Sequence, residues 1–297
     1  MQKRRATMFV VLAGVLWGII SIFVNALTGM GYTGVEICFA RTVVCSVLLG
    51  IFLLIYDREL FKIRLRHIWM FIGTGIISLT LFCFCYFTTI INVEASVAVA
   101  LLYTSPVFVM LFSALLFKEK IGAKKILAII LTVAGCGLIS GFVGSGSTMS
   151  IGSLMIGIGA GFFYALYSIF GRYALAHYKP LTINFYTFLF ASVGFMFIIK
   201  PSQYVHIFAS DTKALGVIIV SGIVCGILPY LFYTIGLDHL DTSVAGVLVA
   251  VEPLVGCLVG IIGFNETTNP AKILGIVMIL VSILVLSFER GRKSNGD

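Results

Sequence analysis

SVAVALLYTSPVFVMLFSALLFKE, residues 96–119, and SVAGVLVAVEPLVGCLVGIIGFNE, residues 243–266, lie 147 positions apart and read as one pattern written twice. Each begins Ser-Val-Ala, places a proline (Pro106, Pro253) ten residues after its first serine and closes on Phe-x-Glu. Almost everything between these landmarks is apolar, over about the 20 residues that a membrane-spanning helix needs.

Working outward, the same offset aligns Gly14 with Gly161, Trp17 with Tyr164 and Ser21-Ile22-Phe23 with Ser168-Ile169-Phe170. It also pairs Gly75 with Gly222, Tyr86 with Tyr233, and Lys125-Ile126-Leu127 with Lys272-Ile273-Leu274. Apolar residues coincide easily by chance. Glycine, proline, tyrosine and glutamate holding one offset do not, so the chain is an internal duplication.

Composition names the solvent. Hydrophobic residues make up 60% of the 297 and charged residues 11%, against roughly a quarter charged in a soluble domain. Lipid must surround much of this surface, and 31 glycines suit close helix packing in a bilayer. The net charge of +8 sits in short clusters between apolar runs rather than along one face, which argues against nucleic acid as a partner. All seven cysteines fall inside apolar runs without CxxC spacing and read as small buried hydrophobes. Lys3-Arg4-Arg5 followed by an apolar run resembles a signal peptide. The run continues to about Thr28 without a small-x-small cleavage site and is expected to remain as a first span.

Ten segments can be placed, at about Thr7–Thr28, Val35–Tyr56, His67–Ile90, Ala95–Phe117, Lys124–Val143, Gly152–Tyr173, Leu181–Ile199, Ala214–Leu237, Ser243–Phe264 and Ala271–Phe288. With the N-terminus inside, sixteen of the twenty Lys and Arg fall on the cytoplasmic side, leaving Lys200, Lys213 and Lys272 outside and Arg41 near a membrane face. Both termini are therefore expected in the cytoplasm. The expected repeats are residues 1–146 and 147–297, joined through the flexible Gly144-Ser145-Gly146-Ser147. Five is odd, so the second repeat crosses the membrane in the opposite sense. Such inverted repeats place a substrate site near mid-depth at their interface and point to alternating access.

At this point the chain resembles the EamA-type, ten-helix branch of the drug/metabolite transporter superfamily. The resemblance rests on Gly14–Trp17-Gly18, on Pro106…Phe117-Lys118-Glu119, and on Ala245…Glu252-Pro253…Phe264-Asn265-Glu266. It implies an all-α membrane fold whose central cavity is lined by segments 1, 3, 4, 6, 8 and 9, with 5 and 10 more peripheral. Relatives move amino acids, sugars, nucleotide-linked metabolites or quaternary amines, so the resemblance carries a mechanism class and no substrate. One departure is chemical: the position matching Glu252 in the first repeat is Ser105.

Glu252 is the leading candidate. A charge near the middle of a span costs roughly 2.5–3.5 kcal/mol on insertion scales, which makes intramembrane acids functional by default. Pro253 lacks an N–H and frees a backbone carbonyl beside it. The acid could bind a cation or take up a proton, or could stay protonated against the freed backbone and serve stability alone. Pro106 and Pro253 either bend matched helices as hinges around a cleft or are merely tolerated there. Trp17, Tyr164, Tyr86, Tyr233 and Tyr103, with Ser105, form a second candidate set. Aromatic faces near Glu252 suit a cationic or zwitterionic ligand, and ordinary packing is the other reading. Glu36 and Arg41, five apart, could pair only loosely. Arg41 is expected to anchor the second segment near the outer face, with anion recognition as the alternative. Glu119 and Glu266 end matched segments on opposite sides and could serve gates or loop contacts.

His67, His177, His206 and His239 lie on scattered segments without ligand spacing, and no cofactor or metal is expected. The leading reading is a secondary transporter of a small polar metabolite, an amino acid or amine favoured, with a coupling proton or ion as its second partner. An intramembrane enzyme would need a polar cluster at mid-depth, where Glu252 is the single acid, and a channel would not need an occluding site. Short loops favour a prokaryotic inner membrane.

Overall fold

A computed structural model describes residues 2–93, 95–139, 150–208, 211–263 and 269–288. Every expected segment is helical there: α1 (Lys3–Gly29), α2 (Gly34–Tyr56), α3 (Leu65–Asn92), α4 (Val97–Phe117), α5 (Ala123–Ile139), α6 (Ile151–Leu175), α7 (Pro180–Met196), α8 (Thr212–His239), α9 (Thr242–Gly263) and α10 (Pro270–Phe288). Seven are long and apolar enough to cross a membrane by length and composition, α7 and α10 are shorter apolar helices, and α5 has 17 residues. The expected glycine-serine hinge, together with Phe264, Glu266 and the C-terminal basic cluster, lies outside the described residues.

The repeat shows in the defects of the helices as well as in their order. Gly73–Thr80 of α3 and Ile223–Ile227 of α8 are π-helical, and such wide turns concentrate at functional sites. α4 breaks between Leu102 and Ser105, and α9 between Leu248 and Val251, in each case just before the proline. The cause is local, because Pro253 cannot donate to the Val249 carbonyl four residues back. That oxygen instead accepts from Glu252 N at 2.9 Å, a tighter three-residue turn. α1 is also interrupted, at Ile19, whereas its repeat mate α6 runs unbroken.

Close approach of backbones locks the repeats together. A Cβ on Gly14 would fall 2.5 Å from Val251 Cγ1 and 2.9 Å from Val249 O, so α1 seats directly on the break of α9. The mate Gly161 does the same to α4, where a Cβ would lie 2.5 Å from Thr104 Oγ1 and 2.8 Å from Leu101 O. Each repeat's first helix thus rests on the broken helix of the other, in the small-residue packing that bilayers favour. α5 lies along α10 through Gly135 and Gly275, with Thr132 Oγ1 donating to Ser282 Oγ at 3.0 Å.

Candidate functional site

A cavity of about 270 Å³ opens between the repeats. Its wall comes from α1 (Trp17, Ile20, Ser21, Val24), α2 (Gly34, Ile37, Cys38, Arg41) and α3 (Leu79, Phe82, Cys83, Tyr86, Phe87, Ile90). Leu102 of α4, Tyr164 of α6, Tyr230 of α8 and Glu252 of α9 complete it. The α1, α2 and α3 residues come largely from the ends of those helices near the α1–α2 connection, so the cavity lies toward that end of the bundle.

Glu252 sits in the first turn of the second α9 segment, just past the break. Its Oε2 accepts a hydrogen bond from the Tyr164 hydroxyl at 3.2 Å, and the Tyr103 phenol is its second hydrogen-bonding neighbour. No Lys, Arg or His forms an ion pair with it among the described residues. The carboxylate therefore meets the cavity bonded to the Tyr164 phenol, with Tyr103 beside it and without a counter-ion among the described residues.

The remaining predicted residues separate into four groups. Trp17, Tyr86 and Tyr164 line the cavity. Trp17 stands edge-on to Tyr230 with centroids 5.0 Å apart. Tyr103 and Ser105 are buried outside the lining, Tyr103 among Cys136, Ala250, Cys257 and Ile279. Tyr233 lies outside the cavity lining, in a crevice of about 20 Å³ that shares Trp17, Leu79, Phe82, Tyr164 and Tyr230 with the cavity and adds Tyr167 and Ser168. There Tyr233 and Ser168 share a 2.7 Å hydrogen bond. Pro106 and Pro253 are both buried, each at the head of the helical segment beyond its break.

Three expectations need correction, and the reading of the histidines gains a contact. Arg41 is not an interfacial anchor, because it lies two turns into α2 and enters the cavity wall beside Cys38 Sγ, 3.9 Å from Nη2. α2 contributes four lining residues although the family resemblance left it out. Glu36 does not reach toward Arg41. It closes a capping box, accepting from Thr33 N and Thr33 Oγ1 at 2.7 Å each, and its other oxygen is 3.3 Å from His206 Nδ1. The histidines are not all apart: His67 and His177 stack at 4.4 Å, with His67 Nδ1 2.8 Å from the Tyr178 hydroxyl. No group of metal-ligating side chains forms among the described residues.

Three lining residues, Tyr230, Cys38 and Ser21, carried no signal as site residues. Tyr230 could have been found, since it precedes Tyr233 by one turn on the same helix. Cys38 and Cys83 bring their sulfurs to 3.4 Å across α2 and α3. The Ser21 hydroxyl is buried and has no hydrogen-bond partner among the described residues.

At the far end of the bundle the structure closes. Lys118 takes a left-handed turn (φ 54°) after α4 and swings Glu119 toward α9. The carboxylate accepts from Thr242 N at 2.7 Å, Ser243 N at 3.2 Å and Ser243 Oγ at 2.6 Å, so it caps the α9 N-terminus. Lys125 lies 3.7 Å from it and 2.9 Å from Asp241. Arg172 of α6 donates to the Leu237 and Leu240 carbonyls at the end of α8, at 2.5 and 3.3 Å.

Two interlocked five-helix repeats, a cavity at their interface, a bonded cap at the far end and an acid in the cavity wall fit a multi-pass membrane transporter. The sequence profile of the EamA-like transporter family matches residues 4–141 and again residues 150–288, and the chain belongs to that family. Among relatives, an uncharacterized transporter of Bacillus subtilis, YxxF, is 26% identical over 99% of this chain and 93% of its own length. The threonine/homoserine exporter RhtA of Escherichia coli K12 is 26% identical over 66% of this chain and 64% of its own. A solved crystal structure with 18% identity superposes at a TM-score of 0.78, covering 98% of this chain and 99% of that one, which shows the fold.

Proposed function

We propose that this chain is a secondary active transporter of a small polar metabolite, an amino acid or an amine, working by alternating access in a prokaryotic inner membrane. The observation that carries the reading is the contrast between the cavity and its repeat mate. In the first repeat Ser21 and Tyr86 both line the open cavity, and the buried Ser21 hydroxyl has no hydrogen bond among the described residues. In the second repeat the matching Ser168 and Tyr233 are bonded in a crevice too small for any metabolite. An inverted repeat that exchanges these two states would move its open side across the membrane.

With both termini cytoplasmic, the Glu119 cap closes the cytoplasmic end and the cavity faces outward. The breaks before Pro106 and Pro253 are the hinges, and residues 1–146 and 147–297 are the units that exchange roles. Glu252 is the ligand-binding acid and the candidate carrier of a coupling proton, with Trp17, Tyr86, Tyr164 and Tyr103 around it. The cavity volume is below the 300–1,000 Å³ usual for drug-sized ligands, which favours a small metabolite. Similarity to an amino-acid exporter supports the amino-acid class.

The test is counterflow in proteoliposomes loaded with single amino acids or amines. Saturable exchange is expected for one of these classes, and Glu252→Gln should lower it by about 100-fold, or about 2.7 kcal/mol. Should Glu252 carry the proton, the variant that retains residual exchange will no longer respond to a pH gradient. Conductance without saturation or counterflow would instead identify a channel.

A further inference from the structure

The charges around the cavity do not neutralise each other in pairs. Arg41 lies in its wall, and its neighbours are the sulfurs of Cys38, Cys45, Cys83 and Cys225 and the Tyr230 phenol. None of the ion pairs among the described residues includes Arg41. Glu36, the acid nearest to it in sequence on α2, is turned away and held by Thr33 and His206. Glu252, on another helix of the same cavity, has the phenols of Tyr164 and Tyr103 as its polar neighbours among the described residues.

A guanidinium set among thiols and a phenol without a carboxylate is costly, and so is an unpaired carboxylate. One small molecule bearing both opposite charges satisfies the two at once. A guanidinium presents a planar fork of N–H donors that fits a carboxylate bidentately, and this is the contact the cavity lacks. The remaining wall is aromatic and aliphatic, which leaves room for a side chain without specifying a polar one. The repeat mate agrees: the position matching Arg41 is Phe188, an apolar side chain that is fully buried and 5.1 Å from the Tyr230 ring.

We propose that Arg41 is the carboxylate-binding residue of this transporter, and that with Glu252 receiving the ammonium group it selects α-amino acids over amines. The assignment rests on the transport reading of the cavity and narrows its ligand class. A simple amine would leave Arg41 unpaired, and a simple carboxylate would leave Glu252 so.

The experiment measures binding to purified protein by thermal shift and by counterflow. Probes are the twenty common L-amino acids, then the α-amide and the decarboxylated amine of whichever binds best. Wild type should bind the acid about 100-fold more tightly than its amide or amine, as a site built to hold a polar group discriminates against its loss. Arg41→Gln should bring acid and amide to comparable, weak affinity, while Arg41→Lys keeps part of the preference. Glu252→Gln should weaken binding of acid and amide alike.

Equal binding of acid, amide and amine by wild type would overturn the role of Arg41 and leave a cation site at Glu252. So would Arg41→Gln that binds the acid as wild type does. Should Arg41→Gln fail to fold, the wild-type comparison of acid with amide still decides. Binding of none of these probes would overturn the amino-acid and amine reading itself, and the assignment with it.

Discussion

Ser21 and Ser168 occupy the same place in the two repeats, as do Tyr86 and Tyr233, yet only the second pair is joined. Around Ser21 a cavity of about 270 Å³ opens, whereas the space beside Ser168 is about 20 Å³. Part of the difference is written in side chains. Cys38 and Arg41 in the wall of the open cavity stand where the second repeat has the larger, buried Phe185 and Phe188. Tyr167, matching Ile20, adds a further plug, sharing a 2.8 Å hydrogen bond with Thr234 and lying 3.2 Å from Asn184 Oδ1. The rest is conformational, since the serine–tyrosine pair is chemically identical in both repeats. A duplicated fold can thus confine its chemistry to one repeat while both keep the moving parts.

The largest expected effect comes from making the open side resemble the closed one. Cys38→Phe, which copies Phe185, should fill the cavity and abolish detectable counterflow. Overpacking of this kind costs about 1–3 kcal/mol, so thermal unfolding should show a protein still folded. Transport at the wild-type rate would mean that the cavity is not the substrate's path.

Next comes the cap that holds the far end shut. Hydrogen bonds to charged groups contribute about 1.5–3 kcal/mol each, so Glu119→Gln should lower unfolding stability by about that much. It should also expose the closed crevice, read as faster maleimide labelling of Ser168→Cys in the Glu119→Gln background. Unchanged labelling would separate the cap from closure.

Tyr233→Phe removes the Ser168 bond and should cost about 1 kcal/mol in thermal stability, whereas Tyr86→Phe, whose serine is unbonded, should cost much less. Equal effects would erase the distinction between the two sides in the resting protein. The smallest change is expected for Asp241→Asn. Its 2.9 Å pair with Lys125 ends on a carboxylate side chain that is 59% exposed, and such pairs contribute about 0–1 kcal/mol.

Much of this was legible without coordinates. The 147-residue offset survives because glycines at helix crossings, prolines at breaks and the terminal glutamates cannot be exchanged as freely as lipid-facing apolar residues. Glu252 stood out for a simpler reason, as an acid in the middle of an apolar segment. The matched prolines indicated bends, and the structure shows the breaks just before them. Arg41 was the main misreading. Two turns from a helix end, a long cation reads as an interfacial anchor, and only the rotation of α2 about its axis decides whether it meets headgroups or the cavity. The π segments of α3 and α8 left no sequence signal either, because a single added backbone residue per turn depends on how the neighbouring helices pack.

The sequence by itself determined the solvent, the duplication, the inverted crossing and the central acid, since each follows from composition or from spacing along one chain. Tertiary structure decided which faces meet: that α1 sits on the break of α9, that Glu119 reaches across to cap that helix, and that Arg41 and Glu252 share one cavity. Helical periodicity fixes the angles between residues on one helix. The direction in which that helix is turned is set by its partners, through glycine contacts and hydrogen bonds between residues far apart in the chain.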